Sequence, residues 1–345
     1  MTAGSATPGG GYHQPVFDHL ERLTDDRGLF EHALRAAPRR EHGYCVDDAA
    51  RGLVVVCREP GPVSGRLARC YLTFVLDALE PAGTCHNRMA VDGRWHDEAA
   101  LGDWWGRALW GLGVAATSAQ APGMRARALV GFRLAAQCRS PHVRSMAFAA
   151  LGAAEVLSGR PDEKAARSLL TDTLAAIGDP ADDDSRWPWP EERLSYGNAS
   201  IAEALIVAGD ALSDISALNH GLSLLEFLLR TETRDGHLSV TPVGGRGRHD
   251  TGPGFDQQPI EVAALADACA SAFLITQQSS WLTGVRLAWD WFLGANDSAT
   301  PMFDPRTGGG YDGLERRGRN LNQGAESTLA MLATAQQARR VSELE

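Results

Sequence analysis

Helices that are apolar on nearly every face alternate along this chain with helices that are apolar on one face only. Periodicity of 3.6 residues and Gly/Pro punctuation predict about twelve of them, near 14–35, 45–57, 63–79, 99–118, 122–138, 142–158, 162–178, 197–212, 214–231, 257–276, 279–295 and 321–341. The even-numbered helices contain GRALWGLGVAA, MAFAALGAAEV, ASIAEALIVAG, VAALADACASA and AESTLAMLATA. A helix without a polar face belongs inside. The odd-numbered ones, such as GRLARCYLTFVLDAL and GVRLAWDWFL, carry charge on one side and bulky apolar residues on the other. They suit an outer layer.

The even helices start near 46, 100, 142, 197, 257 and 322. Most of these intervals exceed a tetratricopeptide or HEAT period. Six buried helices, each paired with an amphipathic one and with no polar capping repeat, predict an all-α chain closed into an (α/α)6 toroid, not an open solenoid. A single domain over 14–341 follows, preceded by a flexible N-terminus at 1–13.

Connections into the even helices are long: GTCHNRMAVDGRWHDEAALGD, DPADDDSRWPWPEERLSYGN, TPVGGRGRHDTGPGFDQQP and DPRTGGGYDGLERRGRNLNQ. Those on the other side, such as CREPGP and LSGRPDE, are short. One face is elaborated and one is plain, which is how a scaffold carries a site.

Composition narrows the partners. The net charge is −10 and the 33 Lys and Arg are scattered, which argues against nucleic acid. The six cysteines, Cys45, Cys57, Cys70, Cys85, Cys138 and Cys269, contain no C-x-x-C pair and read as reduced thiols. Neither a charged and apolar leader nor eighteen uninterrupted apolar residues occurs, so a cytoplasmic protein with no membrane partner is expected. The glycines of GGRGRHDTGPG and TGGGYDG do not join a strand to a helix, and no cofactor is called for. His42, His96, His142 and His249 lie in or near the long loops without metal-ligand spacing, so no metal is expected.

Carboxylates recur at the even-helix starts. Asp47 and Asp48 follow HGYC. One of them can cap its helix, but capping needs one aspartate, not two. A second adjacent carboxylate at a buried helix end is costly unless it binds something or works as an acid or base. Arg51 breaks the D-D-x-x-D pattern of a terpene cyclase. Asp103 precedes Trp104, Trp105 and Arg107; aromatic faces stack on the C–H faces of sugar rings, and an arginine fixes a hydroxyl or carboxylate. Trp110, one turn further on, reads as core. Adjacent Trp104 and Trp105 point in different directions, so at least one is expected to face the cleft.

Trp187, Trp189 and Glu191 occupy a proline-stiffened loop before Tyr196 and Asn198. The two rings are expected as sugar platforms, since exposed tryptophans in a rigid loop call for a ligand. Glu261 follows Gln257 and Gln258, and Glu326 follows Asn322, each one turn inside an apolar helix. An unpaired carboxylate there costs several kcal/mol, so the rival to a catalytic role is a structural ion pair with Arg51 or Arg107.

The motifs H-G-Y-C-x-D-D-A-A-R, D-x-x-G-R-A-L-W-x-L-G, W-P-W-x-E-x-x-L-S-Y-x-N-A, D-Q-Q-P-I-E and N-Q-G-A-E-S-T-L-A resemble, in order, those of a six-hairpin glycosidase-like family. Its bacterial members often carry a glycosyltransferase label and can accompany mannoside-processing genes. The resemblance runs from about Glu41 to Ala335. It implies that Asp47, Asp48, Asp103, Arg107, Trp187, Trp189, Glu191, Asn198, Gln257, Gln258, Glu261, Asn322 and Glu326 line the cleft. The chain departs from the family at Gly102 and Gly197, where acids are usual. The Asp47–Asp48 segment is also similar to the Y-x-D-D-x-A pattern of α/α-toroid endo-α-mannanases.

The expected function is a glycoside hydrolase acting on an oligo- or polysaccharide, with a mannoside among the candidates. Asp47 or Asp48 supplies one catalytic carboxyl and Asp103 or Glu261 the other, with Glu326 as a positioning or alternate acid. His42, Tyr44, Trp104, Trp105, Tyr196 and His249 join the residues that contact sugar. The alternatives are a sugar epimerase or isomerase using histidine-centred proton transfer through His42 or His249, and a non-catalytic glycan-binding protein.

Overall fold

In the computed structural model the described residues are 16–178 and 186–344. The expected flexible segment 1–13 lies outside them.

Among the described residues twelve α-helices run α1 (Asp18–Arg22), α2 (Val46–Cys57), α3 (Pro62–Asp77), α4 (Asp103–Ser118), α5 (Pro122–Ala135), α6 (Val143–Gly159), α7 (Lys164–Ile177), α8 (Asn198–Leu212), α9 (Ile215–Glu232), α10 (Pro259–Thr276), α11 (Ser280–Leu293) and α12 (Ala325–Ser342). The even helices pack in the order α2, α4, α6, α8, α10, α12, and α12 returns to α2. That closes a ring. The odd helices α3 to α11 lean on its outside, each chiefly against the inner helix that precedes it in sequence.

The patterning accounts for both layers. In α3, Leu67, Tyr71, Leu72, Phe74 and Val75 are buried while Arg66 and Arg69 face water, so a single stripe is dry. In α4 nearly every residue from Trp105 to Ala116 is buried, because neighbours flank it on both sides. Glycine lets these inner helices touch. A Cβ on Gly113 would fall 2.2 Å from the Gly152 carbonyl oxygen, and one on Gly152 would fall 2.1 Å from that of Leu109. Each glycine costs about 1 kcal/mol of helix propensity, which the close packing offsets. Helix α10 is long and apolar enough to cross a membrane, but its place in the ring explains that composition.

The first expected helix is shorter than 14–35. It ends at Arg22 because Asp25 accepts hydrogen bonds from the backbone N–H groups of Arg27 and Gly28, a side-chain turn that competes with the helix. The other helix boundaries lie within four residues of expectation at each end.

Short strand pairs tie the long loops together on the N-terminal side of the ring. Tyr44–Cys45 pairs with Arg88–Met89, Arg193–Leu194 with Arg246–Gly247, and Gln257 bridges to Leu314. Each link joins loops that feed different inner helices, so the elaborated face is braced as one layer.

Candidate active site at the mouth of the helix ring

All six inner helices start at this face, and none has a side-chain cap at its N-cap position. Six positive helix ends therefore surround the mouth, an environment that favours carboxylates. Asp47 and Asp48 lie inside the first turn of α2, whose N-cap is Cys45. The capping role is filled from another loop: Asn87 Oδ1 accepts from Asp47 N at 3.3 Å. The aspartate pair is free of that duty.

The two aspartates have different surroundings. Asp48 is buried, its Oδ1 2.7 Å from Arg51 Nη2, and desolvation outweighs the arginine to push its carboxyl up to about 7. Asp47 keeps a fifth of its side chain in contact with solvent and sits 3.0 Å from Arg107 Nη1. That contact is an ion pair without a well-aimed N–H, so Asp47 Oδ1 has no hydrogen-bond donor. The Arg107 guanidinium lies 4.4 Å over the Phe148 ring, which fixes its direction.

Asp103 opens α4, next to α2 in the ring. It accepts a 2.8 Å bond from the Ser145 hydroxyl and another from the Tyr196 phenol, and Tyr196 is half exposed. Glu326, on the first turn of α12, reaches Arg51 Nη1 at 2.8 Å. The ion pair expected as the rival for Glu326 is present. Glu261 has a different neighbour: it is buried, accepts from Gly197 N at 2.8 Å, and is pushed up to about 8 by desolvation. The accessible carboxylates are Asp47, Asp103 and Glu326, with Asp48 and Glu261 set behind them.

Several expected sugar contacts turn out to be packing. Trp187 and Trp189 are buried against Phe227 of α9, with centroids 5.3 and 6.4 Å away, and both indole N–H groups donate to Glu191. They brace the loop and are not exposed platforms. Neither tryptophan of the adjacent pair is free: Trp105 is fully buried, and Trp104 donates its N–H to Cys85 O at 2.7 Å and packs on the core. Trp104 also explains Gly102, since a Cβ there would fall 2.3 Å from its ring. Tyr44 is core, stacked on Phe30 and bonded to Asp25. Gln257 is fully buried between Asp297 and Trp291.

The remaining expected residues lie on or just behind the rim. Glu191 makes a paired bond to Arg144 at 2.8 and 2.7 Å, which holds its carboxyl below the usual range. Asn198 is buried and accepts from Ser195 N and Arg144. Gln258 precedes α10 half-buried, and Asn322 accepts from Arg35 N at 2.9 Å. His42 and His249 are exposed; His42 meets His32 edge-on at 5.0 Å.

Sequence reasoning missed Arg144 and Ser145. Arg144 orders Glu191, Tyr196 and Asn198 at once: its Nε donates to Tyr196 O at 2.5 Å and its guanidinium lies 4.9 Å over the Tyr196 ring. The signal was present, an Arg-Ser pair at the start of an α6 whose next nine residues are apolar.

Solved structures share this architecture from end to end. A sugar epimerase from a ruminal bacterium superposes with a TM-score of 0.71 at 13% identity, covering 94% of this chain and 95% of that one. The six-hairpin (α/α)6 toroid is the fold of this protein. Cellobiose 2-epimerase from Bacillus thermoamylovorans matches with a TM-score of 0.69 at 12% identity over 93% and 95% of the two chains. An α-mannanase from Bacteroides thetaiotaomicron matches at 0.62 and 11% identity over 95% and 94%. No family profile and no curated protein matches the sequence. Identities this low speak for the six-hairpin fold alone.

One cluster in the toroid has the composition of a metal site. Glu31, Cys45 and Asp48 bring ligand atoms within 4.8 Å of one another. Their chemistry is already committed: Cys45 donates its thiol to Asn87 and burial pushes that thiol well up, Glu31 pairs with Arg88, and Asp48 pairs with Arg51. A metal needs the thiolate.

Proposed function

We propose that this protein is a glycoside hydrolase acting on an oligo- or polysaccharide, with Asp47 and Asp103 as its working carboxyl pair. The observation that carries the reading is their placement. They stand on the first turns of neighbouring inner helices, both reach the mouth, and each meets a group from elsewhere, Arg107 as an ion-pair partner for Asp47 and Ser145 as a hydrogen-bond donor for Asp103. Their deeper alternates, Asp48 and Glu261, are buried.

In the reaction one carboxylic acid gives its proton to the glycosidic oxygen as the bond to the anomeric carbon breaks. The other carboxylate either attacks that carbon or takes a proton from the water that does. Water's oxygen ends on the sugar and the alcohol leaves. Arg107 and Arg144 hold the geometry from behind, and Tyr196 supplies an exposed aromatic face and hydroxyl beside Asp103. The likeness to an α-mannanase supports a carbohydrate as substrate. Hydrolysis of oligosaccharides by the wild type, lost in both Asp47→Asn and Asp103→Asn, tests the assignment.

A second reading is a sugar epimerase or isomerase, favoured by the likeness to the two epimerases. Its base would be His42 at the rim, where the ring is open to solvent and backed by His32. The two readings separate cleanly: His42→Ala abolishes epimerisation and leaves hydrolysis.

A further inference from the structure

The end of the toroid opposite the carboxylates holds a cavity of about 650 Å³. Arg58, Ser118, Ser158, Asp210, Ile275 and Glu343, at or near the C-terminal ends of the six inner helices, are on its wall. A constricted void of about 50 Å³ lies between the two ends, bounded by Arg51 and Glu326 above and by Arg58 and Glu203 below. Neither the proposed reaction nor its positioning residues use this cavity.

We propose that the cavity is a second ligand site, taking a small neutral polyol of mono- or disaccharide size. Its volume lies within the range of small-molecule sites, about 300–1,000 Å³. One side is apolar, built from Trp110, Leu151 and Leu274. Trp110, expected in the core, is only partly buried and lines both the cavity and the void. An indole face beside polar groups suits the C–H face of a sugar ring.

The polar side supplies donors and acceptors together. Gln336 is nearly fully buried; its Nε2 donates to Val55 O at 2.8 Å, while its Oε1 has no partner. A buried acceptor left in this state costs about 1–3 kcal/mol, and Gln336 is among the residues that line the cavity. The last carbonyls of the inner helices add acceptors at the same face. Arg58 bonds Asp267 at 2.9 Å and Arg339 bonds Glu59 at 2.5 Å, leaving other guanidinium N–H groups to donate.

Charge excludes the simpler ligands. Four arginines and five carboxylates line the wall. Burial pushes the Glu203 and Glu155 carboxyls up from their ordinary range, and Arg339 is paired with Glu59, so neither sign of charge dominates. A lone anion or cation finds no net counter-charge there. A molecule with many hydroxyls finds partners of both kinds.

The site stands apart from the chemistry of the mouth, and the test reads it separately. Calorimetric titration of the full-length protein with D-glucose, D-mannose, cellobiose and myo-inositol is compared among wild type, Asp103→Asn and two cavity-filling variants, Ala154→Trp and Ser158→Trp. Ser158 is on the exposed rim, so its variant keeps the test open where Ala154→Trp fails to fold. The expected result is one probe or more binding Asp103→Asn as tightly as wild type, and at least about tenfold more weakly to a folded cavity-filled variant. Saturable quenching of tryptophan emission by that probe should vanish in Trp110→Phe. The proposal is overturned if none of the four binds, or if all binding survives the filled cavity.

Discussion

Arg51 Nη1 lies 2.8 Å from Glu326 Oε2, so the first inner helix is bonded to the last where the ring closes. The other arm of the same guanidinium holds buried Asp48. Arg51→Met would leave that carboxylate without its cation, at an expected cost of about 3–5 kcal/mol in chemical denaturation. Adding Asp48→Asn should recover much of the loss. Equal stability of the single and double variants would contradict the arrangement.

Buried acids with raised carboxyls, Asp48, Glu203 and Glu261 among them, make stability depend on pH. Asp48 is pushed up to about 7 and Glu261 to about 8, so the folded protein keeps these protons after the unfolded chain has released them. With fewer protons on the unfolded state, stability falls as pH rises from about 4 to about 8 and levels off above. Glu261→Gln removes one of these groups but keeps an oxygen for the Gly197 N–H. Its Tm should fall less than that of wild type between about pH 5 and pH 8.5; an identical fall would argue against a buried, protonated Glu261.

The contact between α4 and α6 depends on glycine. Gly113→Ala places a methyl 2.2 Å from a carbonyl oxygen that cannot swing aside, with an expected loss of about 1–3 kcal/mol. Gly123→Ala on α5 meets nothing within 4 Å and should be neutral or gain about 0.5–1 kcal/mol. The pair of melting curves isolates close packing from helix propensity.

Much of this was legible in the chain. All-round apolarity separated the inner helices from the outer ones, because a helix flanked on both sides has no wet face. Carboxylates at the even-helix starts marked the mouth, and of the two arginines expected as ion-pair partners, Arg51 is the one that meets Glu326. What stayed hidden depended on partners distant in sequence. Trp187 and Trp189 are buried by Phe227, some forty residues on, and no local pattern shows that α9 comes beneath their loop. Asp47 and Asp48 are equivalent as letters; only the fold makes one accessible and the other buried. The helix expected over 14–35 failed for a local reason, the Asp25 turn.

The two carboxyls of the proposed pair have separable roles. Loss of the proton donor matters less when the leaving group is a good one, so one of Asp47→Asn and Asp103→Asn should retain far more activity on a nitrophenyl glycoside than on an oligosaccharide. Parallel losses on both substrates would remove the acid assignment. Tyr196→Phe, which takes away a donor to Asp103, should lower kcat more than it raises KM.

The central claim is tested most directly by product release from a panel of α- and β-linked manno-, gluco- and arabino-oligosaccharides. Wild type should release sugar from at least one of them, with a loss of about 10²–10⁴-fold in Asp47→Asn and separately in Asp103→Asn. Release that survives both substitutions, or epimerised sugar without hydrolysis, would contradict a carboxyl-pair hydrolase at this mouth.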